Sequence, residues 1–215
     1  MRRLIICSAF IFISLTAFSQ KIKLGIQFSP GISINRLQSE SVDPYINTDG
    51  SKLKFRFGPI ADFALTETYF FTTGILFATK SVSITYIDDI NPNTQTEEFF
   101  LQYLQLPIAL KLYTNEIMLD TRIYVSMGLM AEINIDEKQA KNYSSPLIAD
   151  FSLFDTSLLL GVGIEYNIGT HTAIYGGFSY NRGLLNSIAD YRVVRNDNNL
   201  KIHNDLINLD LGVKF

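Results

Sequence analysis

The sequence predicts an all-β protein, an eight-stranded antiparallel up-and-down transmembrane β-barrel. Apolar and polar residues alternate with a period of two over long stretches, which is typical of strands with one oily face and one polar face. Several of these stretches are much longer than the five or six residues usual in soluble sheets. Long polar connections also alternate with short turns along the chain, which is the loop asymmetry of outer-membrane barrels.

The first 19 residues have the three regions of a secretory signal peptide. Arg2 and Arg3 precede an apolar run, and Ala17-Phe18-Ser19 provides small residues for cleavage near residue 19. A membrane-anchoring helix is the alternative, although the run is shorter than the ~20 residues that a span needs. Cys7, the only cysteine, lies within this run, so residues 20–215 form a barrel domain without disulfides.

Charge and hydropathy limit the function classes. The net charge is -3 without a run of Lys or Arg, which argues against a nucleic-acid partner. Hydrophobic residues make up 47% of the chain and the mean hydropathy is +0.14. No apolar stretch after residue 19 has the length of a membrane helix, so the apolar residues are those of alternating strands.

The pattern predicts each strand and connection in turn. Predicted strands are 22–34, 52–65, 69–87, 98–113, 117–135, 151–168, 171–182 and 200–215. Long polar loops are predicted at 35–51, 88–96, 137–150 and 183–199, and short turns at 66–68, 115–116 and 169–170. The hairpin 98–135 organises the chain because its alternation is the longest and only Asn115-Glu116 interrupts it. Because outer-membrane barrels have their short turns on the periplasmic side, both ends of the domain are expected to face the periplasm.

One face of each strand is expected to meet lipid. The outward set includes Ile123, Val125, Leu160 and Leu209. Outward aromatic residues near the two strand ends, such as Phe63 and Tyr180, fit interfacial girdles. A periplasmic lipid-binding barrel of lipocalin type is an alternative with the same strand number, and it would direct these apolar side chains inward.

The other face carries charges of both signs. The predicted lumen charge network is Lys54, Arg56, Asp62, Lys111, Asp120, Arg122, Glu132, Asp155, Glu165 and Asp210, with Lys23, Lys80 and Lys214 also of inward parity. An eight-stranded barrel encloses only enough space for its side chains, so opposite charges there are expected to pair. We interpret the network as a structural plug; a proton or ion path is the alternative.

Catalytic and ligand-binding signals are weak. No catalytic, cofactor-binding or metal site is predicted, since the histidines His171 and His203 fall at a short turn and on an outward face. The Gly-Val-Gly at 161–163 lies within a strand, where glycine lets the barrel wall bend or lets a large neighbouring side chain fill the lumen. An outer-membrane enzyme that modifies lipid is kept as an alternative.

The chain resembles the small outer-membrane β-barrel proteins of Bacteroidetes type, often called PorT-like. The residues that carry the resemblance are FSQ at 18–20, YLQLPIALKLYT at 103–114, LLLGVGIEYNIG at 158–169, YGGFSYNRGLLN at 175–186 and NLDLGVKF at 208–215. The resemblance implies a barrel of about the size of OmpA or OmpX in the outer membrane of a Gram-negative cell. It also implies insertion by the barrel-assembly machinery, which would recognise Phe215.

A structural, adhesive or assembly and secretion-partner role is therefore expected. The expected partners are outer-membrane lipid and a protein bound through the long loops 35–51, 88–96, 137–150 and 183–199.

Overall fold

The computed structural model describes residues 22–38, 46–48, 51–87, 94–141, 146–191 and 200–215. The signal-peptide prediction at 1–19 lies outside the described residues, as do parts of all four predicted long loops. Within the described ranges, no helix is long and apolar enough to cross a membrane.

The described residues form twelve strands. These are β1 Ile22–Gln38, β2 Ile46–Thr48, β3 Ser51–Ala64, β4 Tyr69–Gly74, β5 Leu76–Ile87, β6 Thr94–Tyr113, β7 Thr121–Gln139, β8 Ile148–Phe151, β9 Phe154–Asn167, β10 Ala173–Gly183, β11 Ile188–Tyr191 and β12 Lys201–Lys214.

Eight antiparallel strand positions make a closed ring. The order is β1-β12-β10-β9-β7-β6, then β4 and β5 sharing one position, then β3. The ring closes because β1 pairs with β12 along one edge and with β3 along the other. The predicted fold class is confirmed.

The side chains alternate across the wall as the period of two requires. Outward residues of β1, such as Leu24 and Ile26, are 59% and 63% exposed. Ser29 and Ser33, which have the opposite parity on the same strand, are fully buried. Val125 is exposed, and Ile123, Leu160 and Leu209 lie on the same outer faces. The lipocalin alternative is therefore wrong, since its apolar side chains would fill the interior.

The predicted two-residue turn at 115–116 is longer in the structure. Strand β6 ends at Tyr113 and β7 begins at Thr121. The apolar alternation misled the prediction because Ile117 and Leu119 continue it although they lie in the turn and are exposed. Ile117 N donates to Thr121 O at 3.0 Å and Thr121 N to Met118 O at 3.0 Å, which closes a tight reversal before the strand starts.

The predicted long loops contain more structure than their polar composition suggested. Strand β2 lies within 35–51 and β11 within 183–199, and β8 begins within 137–150 and ends one residue beyond it. Strands β8 and β11 pair with each other as a separate two-stranded sheet. Strand β6 already begins at Thr94 and β7 continues to Gln139, so the barrel wall rises further than predicted.

The predicted strand 69–87 is interrupted at Ile75, which separates β4 from β5. Ile75 N bonds to Pro59 O at 3.0 Å across the wall. Gly58 faces this irregularity with a positive φ of 154°, and a Cβ there would collide with Ile75 O. Glycine is therefore required at this bend of the barrel wall.

Beyond this bend, β3 and β5 separate. They pair only at Arg56 with Ala78 and Phe57 with Phe77. Closer to the long loops, a side-chain hydrogen bond replaces the backbone pairing of β3 with β5, and in it Thr79 Oγ1 donates to Phe55 O at 3.3 Å. The Ser81 carbonyl accepts from lumen side chains instead, Asn204 Nδ2 at 3.1 Å among them. The upper part of β5 thus leans toward the barrel interior.

Candidate functional site

Charged side chains gather in the lumen near the short-turn end of the barrel. This lower charge cluster consists of Lys23, Asp62, Lys111, Glu165 and Lys214, from five different strands. Lys214 Nζ lies 2.7 Å from Asp62 Oδ2 and also contacts Glu165 Oε2. Lys111 pairs with Asp62 at 3.1 Å, and Lys23 pairs with Glu165 at 2.8 Å. The last barrel strand is thereby joined across the lumen to β3 and β9.

Tyrosines surround these charges. Tyr113 donates its hydroxyl to Glu165 at 2.6 Å and accepts a hydrogen bond from Lys214 at 2.8 Å. The Lys214 ammonium also lies 4.7 Å from the ring centroid of Tyr175. Aromatic faces and hydroxyls replace part of the water that a buried ammonium loses.

Glycines in the wall make space for these rings. A Cβ at Gly163 or Gly177 would overlap the Tyr124 hydroxyl, and one at Gly212 would overlap the Tyr175 ring. The expectation that the Gly-Val-Gly segment leaves room for a large neighbour is confirmed at Gly163.

An ion pair between Arg56 of β3 and Asp210 of β12 occupies the next level of the lumen. Arg56 Nη2 donates to Asp210 Oδ1 at 2.8 Å and to Ser179 Oγ at 3.2 Å. Beside it lies a cavity of about 40 Å³, lined in part by Lys111 and Met130. A water occupies roughly 10–15 Å³ on this scale, so the cavity holds only a few waters.

An apolar layer follows above this level. Ala109, Met130 and Leu159 pack together and are buried. These side chains offer no donor or acceptor on the β6, β7 and β9 side of the lumen, whereas polar contacts such as that of Asn208 Nδ2 with Asn181 Oδ1 continue on the β10 and β12 side.

The upper charge cluster lies beyond that layer and consists of Lys80, Glu132 and Asp155. Lys80 Nζ is 2.6 Å from Glu132 Oε2 and 3.5 Å from Asp155 Oδ2. Glu132 also accepts from Gln105 Nε2 at 2.9 Å and from Ser157 Oγ at 2.7 Å. All three charged side chains are buried, and the two carboxylates share one cation.

An apolar cap closes the long-loop end. It is a single cluster of buried side chains from the barrel wall and from the loop strands, made up of Ile46, Val82, Ile84, Tyr86, Phe99, Leu101, Tyr103, Leu147, Ile148, Phe151, Ile188, Leu200 and Ile202. Two polar contacts also join loop residues to buried carboxylates of the barrel wall. Ser187 Oγ donates to Asp155 Oδ2 at 3.3 Å, and the buried Glu97 carboxylate accepts from Leu147 N at 2.9 Å.

The structure brings seven of the ten predicted network residues into ion pairs inside the lumen. These are Arg56, Asp62, Lys111, Glu132, Asp155, Glu165 and Asp210. Their cationic partners include Lys23, Lys80 and Lys214, which the parity analysis also directed inward. The pairing across the lumen could not be read from the sequence, and neither could the tyrosines that surround it.

Three predicted network residues lie elsewhere. Asp120 is exposed in the short turn before β7, where its φ of 58° belongs to a tight reversal. Arg122 remains at the rim and lies 3.7 Å from Glu116, with both side chains partly exposed. Lys54 Nζ lies 4.5 Å from the centroid of the aromatic ring of Phe100, an outward residue of β6, at a level where β3 no longer pairs with β5 but still pairs with β1.

The histidines are separated by the height of the barrel. His171 is exposed in the turn between β9 and β10, and His203 lies on the outer side of β12, opposite Arg36 of β1. Among the described residues, no group of three or more His, Cys, Asp and Glu is placed to hold a metal ion.

The closed ring, the apolar outer face and the filled polar interior define a transmembrane β-barrel of the outer-membrane class. A family model described as "Outer membrane protein beta-barrel domain" matches residues 18–189, and the chain belongs to that family. It is accordingly a protein of the cell outer membrane.

Solved structures share the fold. Neisserial surface protein A (NspA) is 15% identical with a TM-score of 0.50, and the match covers 90% of this chain and 95% of that chain. OprG from Pseudomonas aeruginosa is 10% identical with a TM-score of 0.54 and the same two coverages. No curated protein matches. At such identities the likeness shows the fold alone.

Proposed function

We propose that the protein is a non-enzymatic outer-membrane barrel that presents a fixed extracellular surface for binding another protein or cell surface. The apolar cap is the observation that carries this proposal. It buries residues from three loop strands against the barrel, so these described parts of the loops are held in a defined shape. A preorganised surface loses less conformational entropy when it binds a partner.

The sheet of β8 and β11 is the best candidate for that surface. Its buried residues Ile148 and Ile188 face the cap, whereas Ala149, Asp150, Ala189 and Asp190 are exposed. The same two strands thus combine anchoring side chains with outward ones.

The filled lumen supports a binding role over transport. The lower charge cluster, the apolar layer and the apolar cap follow one another along the axis. The intervening cavity of about 40 Å³ is too small for a hydrated nutrient. We therefore expect the purified protein to give no stable conductance steps in a planar bilayer.

Photo-crosslinking in living cells tests the proposal. A photoreactive amino acid at position 149 or 189 should give adducts with one recurring protein or surface polymer, identified by mass spectrometry. The same residue at position 119, exposed in a short turn, is the control and should not give that adduct. The proposal fails if positions 149 and 189 give no adduct beyond the control while bilayers show porin-like conductance.

The enzyme alternative has its own test. His171 and His203 stand at opposite ends of the barrel, which does not favour a shared catalytic centre. A double variant H171A/H203A is expected to leave the lipid species of the membrane unaltered. A changed lipid profile would favour the enzyme.

The proposal includes the narrower PorT-like membership, which the motifs at 103–114, 158–169, 175–186 and 208–215 support. It also includes recognition of Phe215 by the assembly machinery. The Phe215 ring is exposed while its backbone N donates to Leu24 O at 2.7 Å, so the aromatic group is accessible beside the closing seam. F215A should lower the amount of inserted barrel without changing its heat-modifiable gel migration.

A further inference from the structure

The outer wall changes from apolar to basic at one level of three adjacent strands. Outward residues of β1 are apolar up to Ile34, and the next outward residue is Arg36. On the neighbouring β12, the outward residues above Ile207 are Asp205, His203 and Lys201. On β10, Arg182 follows Tyr180 on the same face. Arg36 is directly opposite His203 in the β1–β12 ladder, so the charged residues form one patch.

The patch lies where lipid headgroups would be. From Leu24 to Ile34 the wall rises about 33 Å along the strand, at about 3.3 Å per residue. A strand tilt of roughly 40° reduces this to about 25 Å, the height of the apolar band of outer-membrane barrels. Tyr180, at the lower edge of the patch, is the kind of residue found at the membrane interface. The basic residues therefore begin at the upper edge of the band, on the long-loop side.

The single carboxylate of the patch is already used within the protein. Asp205 accepts hydrogen bonds from the Tyr180 hydroxyl at 2.9 Å and from Gly183 N at 3.0 Å, and it lies 3.6 Å from Arg36 Nη2. Arg36 Nη2 also donates to the Gly183 carbonyl at 3.0 Å. Asp205 thus fixes one cation and the interfacial tyrosine in place.

Within the described ranges, the two remaining cations have no carboxylate partner. Arg182 and Lys201 are exposed and form no ion pair with any other residue that the structure describes. With Arg36 they set three cations against one carboxylate. Guanidinium and ammonium groups arranged in this way match the charge and hydrogen-bond acceptors of a phosphate.

The opposite wall differs at the same level. Outward residues there include Phe100, Ile135 and Phe154, which are exposed and apolar. Cations outside the patch have acidic neighbours, since Lys138 of β7 lies 2.9 Å from Asp136 and Lys52 of β3, next to β1, lies 3.4 Å from Glu98. Arg182 and Lys201 differ from these two lysines in having no such partner among the described residues.

We propose that this basic patch binds the phosphate group of a glycolipid in the outer leaflet. The lipid chains would lie along the apolar faces of β1 and β12 below the patch, while Arg182 and Lys201 contact the phosphate beside Arg36. The partner is a membrane lipid with a phosphorylated headgroup, independent of any protein bound by the loops.

Lipid binding to the purified full-length barrel tests this inference. The protein in phosphatidylcholine nanodiscs is titrated with bisphosphorylated lipid A, and bound lipid is measured by native mass spectrometry. Each Lys or Arg near a charged lipid surface is worth about 1 kcal/mol, so the double variant R182Q/K201Q, which loses two of them, should bind roughly thirtyfold more weakly. Lipid A without its phosphates should bind the wild type as weakly as bisphosphorylated lipid A binds the variant.

A matched control removes two cations that lie outside the patch and already have acidic partners. K52Q/K138Q has the same charge change and should retain wild-type affinity. Both variants must show heat-modifiable gel migration, and single R182Q and K201Q variants replace the double one if it does not fold. The inference is overturned if R182Q/K201Q binds lipid A as the wild type does, or if the control loses as much affinity. Full displacement of lipid A by millimolar inorganic phosphate would instead assign the patch to free phosphate and overturn the lipid assignment.

Discussion

The lower and upper charge clusters are built from the same kinds of residues but are connected to different parts of the molecule. The lower cluster joins side chains of barrel strands only, and Lys214 links β12 to β3 and β9. The upper cluster has an additional partner from a loop, because Ser187 bonds to Asp155. Buried ion pairs thus help to close the wall at one end and help to hold the loops at the other. Breaking each cluster should have distinct consequences.

Loss of the central lower cation should have the largest effect. K214A leaves Asp62 and Glu165 with one fewer ammonium in a buried site, and breaking a buried pair costs about 3–5 kcal/mol. We expect global destabilisation, measured as a lower urea midpoint for unfolding in lipid vesicles. K138A, which removes a largely exposed lysine, is the control and should keep the wild-type midpoint. Equal midpoints for the two variants would contradict a closing role for Lys214.

A cavity in the apolar cap should have a smaller and more local effect. Leu101 is fully buried in the cap, and Leu to Ala in a core costs about 2–5 kcal/mol. In L101A we expect the long loops to become sensitive to added protease while the barrel itself keeps its heat-modifiable migration. L104A, on the outward face of the same strand, is the matched control. Loss of the folded barrel in L101A would show that cap and wall unfold as one unit.

Removal of the buried Glu97 carboxylate should release one loop. E97A removes the carboxylate that accepts hydrogen bonds from Leu147 N and the Tyr86 hydroxyl, and leaving the buried Leu147 N–H unsatisfied costs roughly 1–3 kcal/mol. Hydrogen exchange around residues 146–151 should therefore become faster. E98A, the adjacent residue with its side chain on the opposite face, should change that exchange much less. Unchanged exchange in E97A would mean that the apolar contacts alone hold this loop.

The smallest expected effect concerns pH and lies outside the membrane-spanning segments. Partial burial, and after it the negative charge of Asp150, raises the pKa of Glu137 near the extracellular end of β7. A carboxyl with a raised folded-state pKa stabilises the fold at low pH and loses that contribution as pH rises through its pKa. Above the ordinary pKa of glutamate, about 4.3, the ionised Glu137 should make the loop slightly less stable, and E137Q should not show this loss because glutamine does not ionise. The difference is worth at most a few tenths of a kcal/mol at this exposed site.

Hydrogen exchange at Phe151 between pH 4 and pH 8 measures that effect. The wild type should exchange slightly faster than E137Q at pH 7, and the two should converge at pH 4. A difference that grows toward low pH would have the wrong sign for this explanation.

The sequence predicted the parts of the fold that depend on neighbouring residues. Alternation in a strand is local, so the inward directions of Arg56, Asp62 and Glu165 were available from parity alone. The meeting of Lys214 with Asp62 and Glu165 depends on the stagger between strands that are far apart in the chain, and no local pattern encodes that stagger. The ion pairs of the lumen therefore needed the structure.

The errors have local physical causes. Asp120 kept the inward parity of β7 but lies in a tight reversal whose apolar residues continued the strand pattern. Lys54 kept the parity of β3, yet that strand separates from β5 beyond Arg56. The apolar cap escaped prediction because its loop residues, such as Ile148 and Ile188, stand in apolar groups too short to show a strand period. The short apolar groups at 147–149 and 188–189 within otherwise polar loops were the available signal.

The position of Lys214 and Asp210 on the final strand has a consequence for assembly. Until β12 arrives, Arg56 lacks its carboxylate and the two acids of the lower cluster lack their shared ammonium. A nascent, still open wall therefore carries Arg56 without its carboxylate, and its Asp62 and Glu165 have only Lys111 and Lys23 as ion-pair partners. Docking of the last segment supplies Asp210 and Lys214 as it joins the two edges, so insertion into the bilayer and completion of the cylinder are favoured in a single step.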